Sequence, residues 1–221
     1  MMNYKFNKNF ARLYGIMLGD GCLSLFKERK KTIVIAGSLQ DDVPFFERIL
    51  QPIIKSLIKK EIPIRFRYSE GTIYLHFMHK NLFDYISSFN FPIGKKGTKL
   101  FIPKVFYDKN LVKYVLQGFF ATDGSLVLTN NNGTLYPRVE ANGISKNLIK
   151  EISDFINIKG IKCNFYEAKR KESYYINFNC QKAYRIQING KENLKKFVRL
   201  IGFINPKQIE KLNRYYGCTK I

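Results

Sequence analysis

Apolar positions along the chain follow two rhythms, a helical one and an alternating one, and the two occur in the same order twice. In the first half, helical spacing over 9–20 runs into Gly-Asp-Gly, and alternation then predicts strands near 22–28 and 31–37 about a turn at Glu28 to Lys31. A long helix over 41–60, punctuated by Pro52 and Pro63, leads to strands 64–69 and 72–77 around Glu70-Gly71 and a helix over 79–90. The second half predicts a helix near 109–122, then strands 125–130 and 135–142 across the strong turn Asn131-Asn132-Gly133. Helix 145–159, begun by Ser145 as N-cap, strands within 162–188, and helices 190–201 and 206–216 complete it.

The order recurs because the sequence does. LYGIMLGDGCLSL (13–25) aligns with LQGFFATDGSLVL (116–128) 103 positions later, matching at Leu13/Leu116, Gly15/Gly118, Asp20/Asp123, Gly21/Gly124, Leu23/Leu126 and Leu25/Leu128. NLFDYISSFNFPIGKK (81–96) aligns with NLKKFVRLIGFINPKQ (193–208) at a spacing of 112, keeping Lys95 opposite Lys207. The chain therefore divides into a half over 1–101, a short link IPKVFYDKN over 102–110, and a half over 111–221, expected to pack as one pseudo-symmetric α+β monomer.

Charge narrows the partner. In 221 residues, 38 Lys and Arg stand against 17 Asp and Glu, a formal excess of +21, while 19 Phe and 14 Tyr supply ample material for a core. The basic residues are spread through alternating segments such as IRFRYSEGTIYLHF (64–77), where Arg65, Arg67 and Ser69 would share a face and Ile64, Phe66 and Tyr68 the apolar back. A second such segment, CNFYEAKRKESYYINF (163–178), puts Lys169 and Lys171 in step. A basic front on an apolar back suits nucleic acid. The apolar stretches 13–19 and 114–121 fall short of the roughly 20 residues of a membrane span, and MMNYKFNKNF lacks a signal-peptide core, so neither membrane insertion nor secretion is expected. Cys22, Cys163, Cys180 and Cys218 have no metal-binding spacing and read as reduced thiols; His76 and His79 read as partly exposed residues at a strand end.

The repeated motif carries the chemistry. Gly15 and Gly19 in one helix, Gly118 and Thr122 in the other, lie four apart on one face. Each interior glycine costs a helix about 1 kcal/mol relative to alanine, and close approach of a partner helix compensates for it. Each helix ends in Asp-Gly, which sets Asp20 and Asp123 at helix C-termini, against the dipole and, across a pseudo-twofold axis, near each other. A divalent cation relieves both strains, and Mg²⁺, which keeps several waters and binds substrate phosphates, suits so few protein oxygens.

LYGIMLGDG and LQGFFATDG resemble two copies of the LAGLIDADG motif, and residues 10–216 resemble a single-chain, double-motif LAGLIDADG homing endonuclease of the archaeal or organellar kind. The resemblance implies two αββαββα halves, a saddle of two antiparallel sheets on double-stranded DNA, and motif helices Gly15, Gly19, Gly118 and Thr122 at the interface between halves. It implies that Asp20 and Asp123, with the preceding Gly19 and Thr122, hold catalytic Mg²⁺ or Mn²⁺, and that both strands of a long target are cut to leave four-nucleotide 3′ overhangs. A basic residue beside each active site is expected from the family, with Lys95 and Lys207 as the symmetric candidates. Ser38 and Gln40 in one half, Asn142 and Ser145 in the other, resemble the family's water-organising position, Ser145 being also a helix cap. Base readout falls to Arg29, Lys31, Arg65, Arg67, Arg138, Glu140, Lys169, Arg185 and Gln187, with other lysines on phosphates.

The same fold also serves intron maturases, which bind intron RNA; both aspartates favour cleavage without excluding it. A basic regulator would be expected to add a helix-turn-helix domain, and an intein-embedded nuclease to carry a splicing block with a terminal His-Asn pair; neither pattern is present. The expectation is an intron-encoded, monomeric nuclease of an archaeal or bacterial cytoplasm or of an organelle.

Overall fold

The computed structural model describes residues 6–26, 29–168 and 182–218. Helix α1 (Lys8–Gly19) opens on Asn7, whose side chain accepts from Phe10 N. Strands β1 (Gly21–Phe26) and β2 (Lys30–Ser38) follow as an antiparallel pair. The single helix expected over 41–60 is instead α2 (Val43–Phe45), a π-helical turn Phe46–Leu50 and α3 (Gln51–Ile58). Pro52 has no N–H to give and its ring crowds the carbonyl four residues back, and just ahead of it Gln51 N–H reaches Phe46 O, five residues back, widening the turn.

Strand β3 (Arg65–Arg67) is shorter than the sequence suggests, because Tyr68–Glu70 turn as a 3₁₀ helix before β4 (Thr72–Met78). The expected apolar back is absent there: Phe66 and Tyr68 are exposed at the sheet edge and stack on each other, centroids 6.0 Å apart. Helix α4 (Lys80–Ser87) is capped by His79, whose Nδ1 accepts from Leu82 N at 3.1 Å, while His76 lies exposed on β4. Within the link between halves, α5 (Lys104–Asp108) buries Phe106.

The second half holds α6 (Val112–Thr122), β5 (Gly124–Asn131), β6 (Thr134–Gly143), α7 (Lys146–Ile158), β7 (Asn164–Ala168), β8 (Ala183–Asn189), α8 (Lys191–Leu200) and α9 (Pro206–Cys218). Asn132 and Gly133 both take positive φ, 51° and 85°, the two-residue turn that matches strand twist. Each half has a four-stranded antiparallel sheet, ordered β1-β2-β4-β3 and β5-β6-β8-β7. One buried core runs behind both sheets and through the seam between α1 and α6, with Leu13, Ile16, Met17, Leu116, Phe119 and Phe120 fully buried. Among the described residues no helix is long and apolar enough to cross a membrane.

Candidate functional site

The site is built where α1 and α6 pack. A Cβ added at Gly15 would lie 1.9 Å from Val115 O, and one added at Gly118 would lie 2.0 Å from Arg12 O. Each glycine thus faces a carbonyl of the other helix, and backbone meets backbone. Arg12 Nε donates to Gln117 Oε1 at 2.9 Å across this seam, and Gln117 Nε2 to Ile201 O at 2.6 Å. At the end of the seam a Cβ on Gly19 would meet Thr122 Oγ1 at 2.0 Å and Asp123 Oδ2 at 2.8 Å, so the carboxylate of one motif reaches the backbone of the other.

Asp20 and Asp123 cap the two helices, and each helix-end carbonyl pattern disfavours their charge. Burial raises Asp20 to about 6, with Asp42 adding to the rise and Lys96 opposing it. Asp123 is raised to about 7, by burial first and then by Asp20, again against Lys96. Two partly desolvated carboxylates, one raised further by the other, are poised to exchange protons for a cation.

The lysine beside them is Lys96, and its neighbour Lys95 is exposed. Lys96 Nζ donates to the C-terminal carbonyls of α1, at 3.4 Å to Met17 O, 3.2 Å to Leu18 O, and to Gly19 O. Burial lowers its pKa, against the pull of Asp123, Asp20 and Cys22. Gly94 N–H donates to Leu23 O at 2.7 Å, fixing the loop that carries it to β1. In the second half the matching place is taken by amides: Gln208 Nε2 donates to Phe120 O at 2.6 Å and Gly124 O at 2.8 Å, and Asn205 Nδ2 to Ala121 O at 2.8 Å. Lys207 turns to Asp41, 2.6 Å away, at the wall of a cavity of about 230 Å³ that Asp42 and Thr122 also line.

Beyond the aspartates, the front face of the second sheet carries Arg138, Glu140, Arg185 and Gln187. Register places Glu140 opposite Gln187 and Asn142 opposite Arg185. Arg138 Nε donates to Glu140 Oε2 at 3.0 Å, Gln187 Nε2 to the same oxygen at 3.3 Å, and Arg185 to Asn142 Oδ1. On the first sheet Arg65 and Arg67 lie on the front of the edge strand, opposite Tyr74 and Thr72, and Arg29 is exposed at the β1–β2 turn. Lys31 is turned to the back: it pairs with Leu25 in register and its ammonium meets Asp84 of α4. A shift of one residue in strand phase accounts for this correction. Lys169 lies outside the described residues.

Comparison with known proteins meets the geometry here. Residues 110–202 match a family described as LAGLIDADG-like domain. The homing endonuclease I-DmoI in complex with DNA and Ca shares 16% identity with a TM-score of 0.61, covering 94% of this chain and 97% of its own. The LAGLIDADG meganuclease I-AabMI bound to uncleaved DNA shares 14% with a TM-score of 0.58, covering 96% of this chain and 90% of its own. The chain has the double-motif LAGLIDADG fold. An uncharacterized protein of Methanocaldococcus jannaschii is 27% identical over 206 residues, 90% of this chain, and the chain spans only 21% of that protein's length.

In LAGLIDADG terms, α1 and α6 are the motif helices and the two sheets flank their acidic ends. Among the described residues no group of three or more His, Cys, Asp or Glu is placed to hold a metal; the residues that would hold a divalent ion here are the two motif carboxylates, with water completing its shell. That hard, sparse oxygen set fits Mg²⁺. Of the two motif residues expected beside the ion, Gly19 gives its carbonyl to Lys96, and Thr122 donates its hydroxyl to Phe119 O at 3.0 Å. Ser145, a candidate for organising water, is buried and donates to Thr98 O at 2.9 Å and Leu100 O at 3.0 Å; its role is structural. Gln40 and Ser38 are exposed, and Asp42 beside them accepts from Ser38 N at 2.8 Å. Sequence reasoning missed Asp42, Gln208 and Asn205. The repeat alignment holds one usable signal, since it sets Lys96 opposite Gln208.

Proposed function

We propose that this protein is a site-specific homing endonuclease that makes Mg²⁺-dependent (or Mn²⁺-dependent) double-strand breaks in a long DNA target, leaving four-nucleotide 3′ overhangs and acting as a monomer. The observation that carries the reading is the pair of carboxylates, Asp20 and the half-buried Asp123, at the meeting ends of two helices and flanked by sheet faces that bear Arg, Gln and Asn. Support comes also from the solved relatives: I-DmoI structures are described with target DNA in the presence of manganese and of magnesium.

In this reading Asp20 and Asp123 would hold the ions, which when bound would supply Lewis acidity and an activated water at the scissile phosphate. Lys96 sets a cation beside both carboxylates, where negative charge gathers as the phosphate is attacked. The seam at Gly15 and Gly118 fixes the spacing of the two acidic ends, and so the offset between the two cuts. The sheet faces orient the duplex, with Arg65 and Arg67 at the rim suited to phosphates.

The test is a cleavage selection on a randomised duplex library with Mg²⁺ or EDTA, with Asp20→Asn and Asp123→Asn alongside. One long target cut with four-nucleotide 3′ overhangs, lost with EDTA and with either substitution, is the expected result. Tight nucleic-acid binding with no metal-dependent cutting overturns it in favour of a maturase.

A further inference from the structure

The two sheets share one lattice. Gly21 pairs with Ile35 and Ile35 with Leu75; in the second half Gly124 pairs with Ala141 and Ala141 with Ile186. Each front-face position of one sheet therefore has a counterpart in the other, at the same remove from the motif aspartates. On the inner strand next to the hairpin, Thr32, Val34 and Ala36 answer Arg138, Glu140 and Asn142. On the strand beyond, Tyr74, His76 and Met78 answer Arg185, Gln187 and Asn189.

The chemistry of these matched positions differs sharply. All six in the second sheet are charged or amide side chains, and several hold one another in place: Glu140 accepts from both Arg138 and Gln187, and Asn142 from Arg185. In the first sheet three of the six, Val34, Ala36 and Met78, have no conventional hydrogen-bonding group, and Thr32 is buried with its hydroxyl committed to Ser24 O at 2.9 Å. Tyr74 lies under the Arg67 guanidinium, 4.8 Å from its ring centre, His76 is the one exposed polar side chain of the six, and the front-face arginines of this sheet, Arg65 and Arg67, stand on the outer strand.

Resting on the endonuclease reading, we propose that the two halves of the DNA target are read by different chemistry. The half under β5–β8 is read by directional hydrogen bonds to base edges, where Arg selects guanine, Asn and Gln select adenine, and Glu selects cytosine. The half under β1–β4 is read at its inner base pairs by apolar contact, which favours the thymine methyl and tolerates exchange elsewhere. Sequence information is concentrated in one half of the target, and the tolerant half is rich in A·T pairs.

The experiment is a binding selection of the full chain on a randomised duplex library in Ca²⁺, with the same library cut in Mg²⁺. Gln187→Ala is carried in parallel to assign the halves. Expected are roughly tenfold to hundredfold discrimination per contacted position in one half and under about threefold at inner positions of the other, apart from a preference for thymine. Gln187→Ala relaxes only the informative half. Equal information in both halves, or relaxation of the tolerant half by Gln187→Ala, overturns the proposal. If bound duplexes show the lopsided pattern but none is cut, the nuclease reading fails and this one stands; if cut duplexes show even information, the reverse holds; if no duplex is enriched, both fall.

Discussion

Lys96 and Gln208 do the same structural task with different charge. Each donates to the last carbonyls of a motif helix, Lys96 to Met17, Leu18 and Gly19, Gln208 to Phe120 and, just past the helix, Gly124. One acidic end is thus supported by an ammonium and the other by an amide. Lys96→Gln is expected to keep the cap and remove the cation, lowering the single-turnover cleavage rate about 100-fold while DNA affinity in Ca²⁺ stays within about threefold. Lys95→Gln, at an exposed site, is expected to cut at the wild-type rate.

The aspartate pair is expected to make stability and, on the endonuclease reading, cutting depend on pH in opposite senses. With Asp20 at about 6 and Asp123 at about 7 against an ordinary 3.8, the native state keeps protons that the unfolded chain releases above about pH 4. Stability is then fullest at low pH and falls as pH climbs toward 7. Asp123→Asn is expected to gain roughly 1–3 kcal/mol over wild type at pH 8 and nothing at pH 4, measured by denaturant unfolding.

On the proposed reading the pair holds its metal only when ionised, so cleavage at limiting Mg²⁺ is expected to rise as pH passes through 6 to 7. Raising Mg²⁺ moves that midpoint down, because metal and proton compete. A midpoint fixed at all Mg²⁺ concentrations counts against Asp20 and Asp123 as the ligands.

Gly15→Ala and Gly118→Ala test the seam. Alanine is the better helix former by about 1 kcal/mol, yet its methyl would sit 1.9 Å from Val115 O in one case and 2.0 Å from Arg12 O in the other. The helices must part, and each substitution is expected to lower stability by about 3 kcal/mol or more. A thermal scan showing either variant unchanged would contradict this packing.

Glu151 of α7 ties the link between halves. It accepts from Ile102 N at 2.9 Å and from Tyr107 Oη at 2.9 Å, and burial raises its pKa while both bonds lower it. Glu151→Ala leaves two donors unpaired and is expected to cost about 2–3 kcal/mol in denaturant unfolding, and Tyr107→Phe about 1.

What was legible in the sequence follows physical range. The small-residue helix faces, Gly15 with Gly19 and Gly118 with Thr122, and a turn such as Asn132-Gly133 are set by local rules, and the repeat doubled the first of these signals. Strand phase is fragile, because a shift of one residue moved Lys31 to the back, and the edge strand around Phe66 and Tyr68 has no second layer to impose an apolar side. Lys96 lies in a loop with no periodicity, between Gly94 (φ 86°) and Gly97 (φ 59°), and hydrophobic spacing does not reveal which lysine points inward. The π turn ahead of Pro52 needs a bonding partner five residues back, which hydrophobic spacing does not reveal.

The reciprocal contacts of Gly15 on Val115 and Gly118 on Arg12 are those of a self-complementary joint, the kind two identical copies would form. A homodimer built on that joint shows the same face twice and is confined to palindromes. Joined in one chain, the joint stays under the constraint of both halves at once, while each face is free to drift alone. Such a molecule can follow an asymmetric site as it mutates, one half at a time.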